Sequence, residues 1–221
     1  MKKVTLTIDG KKIEVQEGKP LLWVALDNGI YIPNLCAIRE RELPDASCRL
    51  CFVEIEGYPE PVTSCTEQAQ EGMVVKTRTD RVLRLQRTAF ELILSTHHVD
   101  CGHCGKNRQC ELQKIARHLK MKLKLKRLRA IPKNLSIDDS HPLFTYNPNK
   151  CVLCGRCVWI CKEQQSVGTL NFAYRGFKTV VTAFGGAPLG EADCTKCGKC
   201  VEACPVGALV FKETNQQRKL I

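Results

Sequence analysis

The sequence predicts an α+β chain of three small domains, each built around cysteines, and three observations predict it. An alternating apolar–polar segment with a hairpin signal and a following helix opens the chain; an apolar stripe at helical spacing runs through RVLRLQRTAFELIL; and a C-x2-C-x2-C-x3-C run occurs twice near the C-terminus. The expected boundaries are residues 1–77, 78–135 and 140–221. Fifteen cysteines and a formal net charge of +11 narrow the function classes. The longest uninterrupted apolar run, Leu21 to Leu26, is far short of the ~20 residues a membrane span needs. The two lysines after Met1 are not followed by the apolar stretch of a secretory leader. The expectation is therefore a cytoplasmic chain with no membrane span, whose cysteines stay reduced and serve metal or redox chemistry. An aromatic share of 6 % argues against a base-stacking surface, and 43 % apolar content with charges of both signs argues against disorder.

In the first domain Val4, Leu6 and Ile8 alternate with polar residues, Asp9-Gly10 signals a turn, and Ile13 and Val15 continue on the return strand. Pro20 opens a helix through LLWVALDN, with Gly29 as its stop. Two strands and a helix begin a β-grasp fold. A further strand is expected at FVEIEG, and Glu71-Gly72 turns the chain into MVVKT. Cys36, Cys48, Cys51 and Cys65 form a C-x11-C-x2-C-x13-C set in a loop-rich region. Four soft, anionic thiolates suit an Fe–S core, with one structural zinc as the plainer, less favoured alternative.

The second domain is expected to be small and helical. Thr79 or Asp80 caps a helix whose Val82, Leu85, Ala89 and Leu92 form a core-facing stripe. It leads to H-x3-C-x2-C-x5-C: His97, Cys101, Cys104 and Cys110. A second helix starts at Glu111 with Leu112, Ile115, Ala116 and Leu119 on one face. The three cysteines need a fourth partner, and His97, His98 and His103 all stand nearby. Zinc fits such a set as well as a cluster does. The tract KMKLKLKRL alternates lysine with Met121, Leu123 and Leu125, as an exposed basic face on a strand or connector would.

In the third domain CVLCGRCVWIC and CTKCGKCVEACP repeat one pattern, with Pro205 after the second run. The repeat matches a two-cluster bacterial ferredoxin, in which the fourth cysteine of each run ligates the other cluster. One [4Fe–4S] cluster then takes Cys151, Cys154, Cys157 and Cys204, and the other Cys194, Cys197, Cys200 and Cys161. Gly155 and Gly198 let the backbone turn with its amides toward the cluster. TVVTAF, in the linker between the runs, reads as a strand. With His97 counted, the fifteen cysteines make four sets of four ligands and leave none over.

Particular strings carry a resemblance. DASCRLCFVEIEG, with its flanking cysteines, is similar to the [2Fe–2S] domain of the large iron–sulfur subunit of respiratory NADH dehydrogenase. That domain is shared with iron-only hydrogenases and with the small iron–sulfur diaphorase subunit of NAD-coupled nickel–iron hydrogenases. Ser47 stands where those relatives often have glycine. STHHVDCGHCGKNRQCELQ resembles their His-plus-three-Cys [4Fe–4S] motif, whose histidine lies four residues before the first cysteine, which implies His97. Cys161-Lys162 in place of Cys-Pro, and the long linker to Asp193, also recur in them. The resemblance implies one [2Fe–2S] and three [4Fe–4S] clusters. It further implies a relay between an FMN/NAD(H)-binding flavoprotein subunit and the hydrogenase small and large subunits, with soluble ferredoxin as another carrier in an electron-bifurcating version. An iron–sulfur subunit of an NAD-dependent formate dehydrogenase or NADH dehydrogenase is the nearest alternative, ahead of a free carrier and of a zinc-rich nucleic-acid-binding protein.

No catalytic centre of its own is expected. The chain has no G-x-G-x-x-G or Walker string, and the stretch from Cys204 to Ile221 is too short for a hydrogen-activating cluster, a molybdopterin domain or a nucleotide fold. Replacing one thiolate by a neutral imidazole is expected to raise the potential of the His97 cluster. Four oxidised clusters bring about −7 in total with their thiolates, which leaves the loaded chain near about +4 and removes the charge argument for nucleic acid.

Overall fold

The computed structural model describes residues 2–212. Residue 1 and residues 213–221, the outer ends of the first and third expected domains, lie outside the described residues. The chain divides into two compact units: residues 1–93 with 115–122 and 126–128, and residues 94–114 with 123–125 and 129–221.

In the first unit, β1 (Lys3–Ile8) and β2 (Lys11–Gln16) pair antiparallel with Ile8 opposite Lys11. The turn between them holds Asp9 at φ +48° and Gly10 at φ +83°, the positive φ pair that a two-residue hairpin needs. The Asp9 carboxylate accepts from the Thr77 backbone N–H (2.8 Å) and hydroxyl (2.5 Å), which ties this turn to a distant strand end. Helix α1 (Leu21–Asp27) follows Pro20 and stops at Gly29, φ +77°, where the Ile30 N–H returns to the Ala25 carbonyl at 2.9 Å. Strands β3 (Phe52–Ile55), β4 (Val62–Thr63) and β5 (Val74–Lys76) complete a sheet of order β2-β1-β5-β3-β4, in which β1 and β5 run parallel. Apolar residues of β1, α1, β3 and β5 share one core with Cys51 and Cys65. Each fully buried Leu or Ile there contributes about 1.5–3 kcal/mol.

Helix α2 (Asp80–Ser95) is capped by Thr79, whose hydroxyl accepts the Val82 N–H at 3.2 Å; Asp80 is already in the first turn. Its buried side differs from the expected stripe. Val82, Gln86, Ala89, Phe90 and Leu94 are buried, whereas Leu85 is half-buried and Leu92 is 56 % exposed. The i, i+4 row 82–86–90–94 faces inward, and its polar member is satisfied on one side: Gln86 Nε2 donates to the Phe52 carbonyl at 3.0 Å, whereas its Oε1 is buried without a hydrogen-bond partner among the described residues. Buried Glu91 is likewise paired, 2.7 Å from Arg127 Nε. Helix α3 (Glu111–His118) buries Leu112, Ile115 and Ala116, with Leu119 just beyond, as its spacing predicts. Met121, Leu123, Leu125 and Leu128 are half-buried in a connector without a strand, and its lysines face solvent.

In the second unit, β6 (Phe144–Tyr146) pairs antiparallel with β9 (Leu209–Phe211). Helix α4 (Arg156–Trp159) runs into a wider turn, Ile160–Gln164, and α5 (Lys199–Ala203) is its counterpart in the second cysteine run. The linker carries a hairpin of β7 (Asn171–Ala173) and β8 (Val180–Thr182), the latter within TVVTAF. Phe172, Tyr174, Phe177 and Phe184 on and beside it are 47, 75, 74 and 98 % exposed. Among the described residues no helix is long and apolar enough to cross a membrane.

Candidate metal centres

Three cavities in the second unit each take one of the expected ligand sets. Cys151, Cys154, Cys157 and Cys204 line the first. Cys161, Cys194, Cys197 and Cys200 line the second. His97, Cys101, Cys104 and Cys110 line the third, with Lys150 and Gly207. Cys204 thus stands with the cysteines of the first run and Cys161 with those of the second. Among the described residues no three Cys, His, Asp or Glu side chains close on one point as the ligands of a single ion do.

The two runs shape their loops alike. Gly155 (φ +76°) precedes α4 and Gly198 (φ +73°) precedes α5. Leu153 and Lys196, each just before the second cysteine of its run, also have positive φ, +54° and +56°. A left-handed non-glycine residue costs about 1–2 kcal/mol. What it brings here is an amide aimed at sulfur: the Leu153 N–H donates to Cys151 Sγ (3.4 Å) and the Lys196 N–H to Cys194 Sγ (3.3 Å). The glycines were readable in sequence. These two amides were not, because neither residue type prefers that conformation.

Around the third cavity the three histidines separate. His103 is exposed and its Nδ1 lies 2.9 Å from Asp100 Oδ1. His98 borders the cavity but is exposed, and its backbone N–H donates to the Asn149 carbonyl at 2.8 Å. His97 is half-buried, and its Nδ1 lies 2.9 Å from the Lys150 carbonyl, a pure acceptor, so Nδ1 carries the proton and Nε2 is left for a ligand bond. Burial above all, with the Lys133 and Lys150 charges adding, lowers its pKa to about 4, so the ring is neutral near pH 7. Gly207 closes the wall: a Cβ there would collide with Cys104 Sγ.

In the first unit Cys36, Cys51 and Cys65 are buried and Cys48 half-buried. The Cys48 thiol and the Ser47 hydroxyl and amide hydrogen-bond the Cys36 sulfur and hold its pKa down to about 5, while Cys48 is pushed up in return. Cys51 and Cys65 share a proton in the same way, Cys51 raised and Cys65 lowered. Left-handed Ala46 and Arg49 bracket this loop. The loop bearing Cys36 is held to α1 by Arg39, which bonds both oxygens of Asp27 (3.1 and 2.8 Å) and stacks over Trp23 at 4.6 Å. Lys19 reaches the same carboxylate at 2.6 Å. No local pattern announces this brace.

Burial pushes five thiols of the second unit up, Cys154 and Cys200 to about 12 and Cys110, Cys151 and Cys157 also upward. At these five positions burial favours the neutral thiol, and binding a positive core there would release their protons. The donors fit iron–sulfur cores: soft sulfur with one neutral imidazole, glycine-walled cavities, and amides aimed at ligand sulfurs. A core bound there supplies one-electron chemistry, and the chain supplies spacing and potential.

Comparison with known proteins follows the same division. Residues 1–80 match the 2Fe-2S iron-sulfur cluster binding domain, residues 86–123 the NADH-ubiquinone oxidoreductase-G iron-sulfur binding region, and residues 141–210 the ferredoxin-like domain of NADH-quinone oxidoreductase subunit 3. The chain is 38 % identical to the NADP-reducing hydrogenase subunit HndD of Solidesulfovibrio fructosivorans over 96 % of its own length and 37 % of that protein. It is 35 % identical to the NADPH-Fe(3+) oxidoreductase subunit alpha of Geobacter sulfurreducens, over 95 % of its own length and 24 % of that protein. The chain therefore spans well under half of these relatives. A chain in the crystal structure of an NAD+-reducing [NiFe]-hydrogenase in the H2-reduced state superposes with TM-score 0.85 at 32 % identity, covering 96 % of this chain and 88 % of that one. With that match spanning both chains almost end to end, this chain belongs to the family of iron–sulfur electron-transfer subunits found in NAD(P)-reducing hydrogenases and related NADH dehydrogenases.

Proposed function

We propose that this chain carries four clusters and relays electrons between an FMN/NAD(H)-binding flavoprotein subunit and the small and large subunits of a hydrogenase in the cytoplasm. The [2Fe–2S] cluster is bound by Cys36, Cys48, Cys51 and Cys65 in a β-grasp domain. One [4Fe–4S] cluster is bound by His97 Nε2 with Cys101, Cys104 and Cys110. The other two are bound by Cys151, Cys154, Cys157 and Cys204, and by Cys161, Cys194, Cys197 and Cys200. The observation that carries this reading is the sorting of twelve expected ligands into three cavities, four to each, with none in the wrong one.

The physical logic is that a hydride donor gives electrons in pairs whereas clusters take them singly, and tunnelling is short-range, so a distant acceptor needs intermediate sites. The test is anaerobic isolation with partners attached. The expected result is about 14 iron and about 14 sulfide per chain, with cluster signals that appear in steps on reduction by NADH or hydrogen. Zinc without sulfide overturns the cluster reading, and reduction by formate but not hydrogen overturns the hydrogenase partner.

A further inference from the structure

Lys150 is 8 % exposed and lines the cavity of His97, Cys101, Cys104 and Cys110. A Cβ built on Gly207 would lie 3.8 Å from Lys150 Cδ and collide with Cys104 Sγ, so the lysine stem and that sulfur flank the same glycine. Among the described residues no carboxylate comes within ion-pair distance of the Lys150 ammonium. Asp100 is within electrostatic reach, but its carboxylate is held by His103 at 2.9 Å. The other nearby cation, Lys133, is committed elsewhere: its ammonium donates to the carbonyls of Pro148 (3.2 Å) and Cys151 (2.5 Å).

The Lys150 side chain packs into this wall, where its charge acts on a neighbouring anion with less screening than between charges in bulk water. In this wall the anion is the cluster, whose three thiolates and neutral imidazole give a charge of about −1 oxidised and about −2 reduced. We propose that Lys150 is the residue that sets the potential of the His97 cluster, its side-chain charge favouring the reduced state. This rests on the ligand set given above. The same residue also acts in the opposite sense: its carbonyl accepts from His97 Nδ1 at 2.9 Å and enriches the imidazole, which favours the oxidised state. The two effects separate experimentally, because substitution removes the ammonium and leaves the carbonyl in place.

The test is a redox titration of the assembled complex followed by EPR, with wild type, Lys150→Met, Lys150→Arg and Lys133→Met. The His97 cluster is identified by its strong nitrogen hyperfine coupling. At the wild-type midpoint, Lys150→Met is expected to lower the reduced-to-oxidised ratio about tenfold, which is 59 mV for a one-electron couple. Lys150→Arg is expected to restore it, and Lys133→Met to move it less. If Lys150→Met fails to hold the cluster, recovery of the signal in Lys150→Arg but not Lys150→Gln supports the role of the charge. Loss in Arg as well overturns it. A Lys150→Met chain with the cluster present and the midpoint unmoved, or moved less than in Lys133→Met, also overturns it. Iron and sulfide analysis of the wild type keeps this apart from failure of the ligand set, since a missing cluster shows there before any variant is made.

Discussion

A methyl group at residue 207 distinguishes a free Cys104 from an anchored one. A Cβ there runs into Cys104 Sγ, the end of a side chain that can rotate away when nothing holds it. A sulfur bonded to iron cannot. Gly207→Ala is therefore expected to change the stability of the iron-free chain by less than about 1 kcal/mol. The same variant should lose one four-iron core, so that iron falls from about 14 to about 10 per chain with the other clusters intact. Equal iron in variant and wild type would show that Cys104 is not a ligand. The spacing of the sequence put three histidines near Cys101 and Cys104 and could not choose among them without a resemblance. Burial and one carbonyl set His97 apart from the other two, because they fix its tautomer and its neutrality, and they support it as the proposed ligand. Lys150 was invisible in sequence for a related reason: it reads as one lysine in a basic chain until its side chain is seen to be buried.

At the scale of elements, strong periodicity was legible and short pairings were not. The β1–β2 hairpin and α1 follow from alternation, Asp9-Gly10, Pro20 and Gly29. Strands β4, β6 and β9 have two or three residues each, too few to show a period, and β6 finds β9 across a long stretch of chain, with Phe144 opposite Phe211. On α2 the period was right and the face was shifted, because a hydrogen-bonded Gln86 replaces an apolar residue in the buried row. The brace on α1 gives a prediction at this scale. Arg39, then Lys19, lower the Asp27 pKa from 3.8 to about 2. A depressed carboxyl stabilises the fold above its unfolded pKa, and that contribution is lost as pH falls through the folded one. Asp27 is partly exposed, so solvent screening limits the effect. Asp27→Asn is expected to lose up to about 1 kcal/mol at pH 7 in urea unfolding, with the difference from wild type shrinking as pH falls from about 4 toward 2. A difference as large at pH 2 as at pH 7 would assign the loss to packing rather than to charge.

For the molecule as a whole, cysteine arithmetic was the most informative feature of the sequence. Fifteen thiols and one histidine close into four sets, and in the second unit the cavities divide them the same way. The division into two compact units was not legible, because α2, α3 and the connector after them contribute residues to both. The crossing of Cys161 and Cys204 bears on how the chain could be cut. Each proposed [4Fe–4S] core of the third domain holds sulfurs from both runs, so the stretch from Lys162 to Asp193 is closed at its ends by two independent crosslinks, as paired disulfides would close it. A specific protease site placed in the exposed turn at residues 174–178 should yield two fragments that travel together in gel filtration under anaerobic, loaded conditions. They should part once a chelator and air have removed the iron. Co-migration that survives iron removal would mean that packing alone joins them. In the loaded protein the iron would be the rivet, and the peptide chain between the runs could be severed without the wire coming apart.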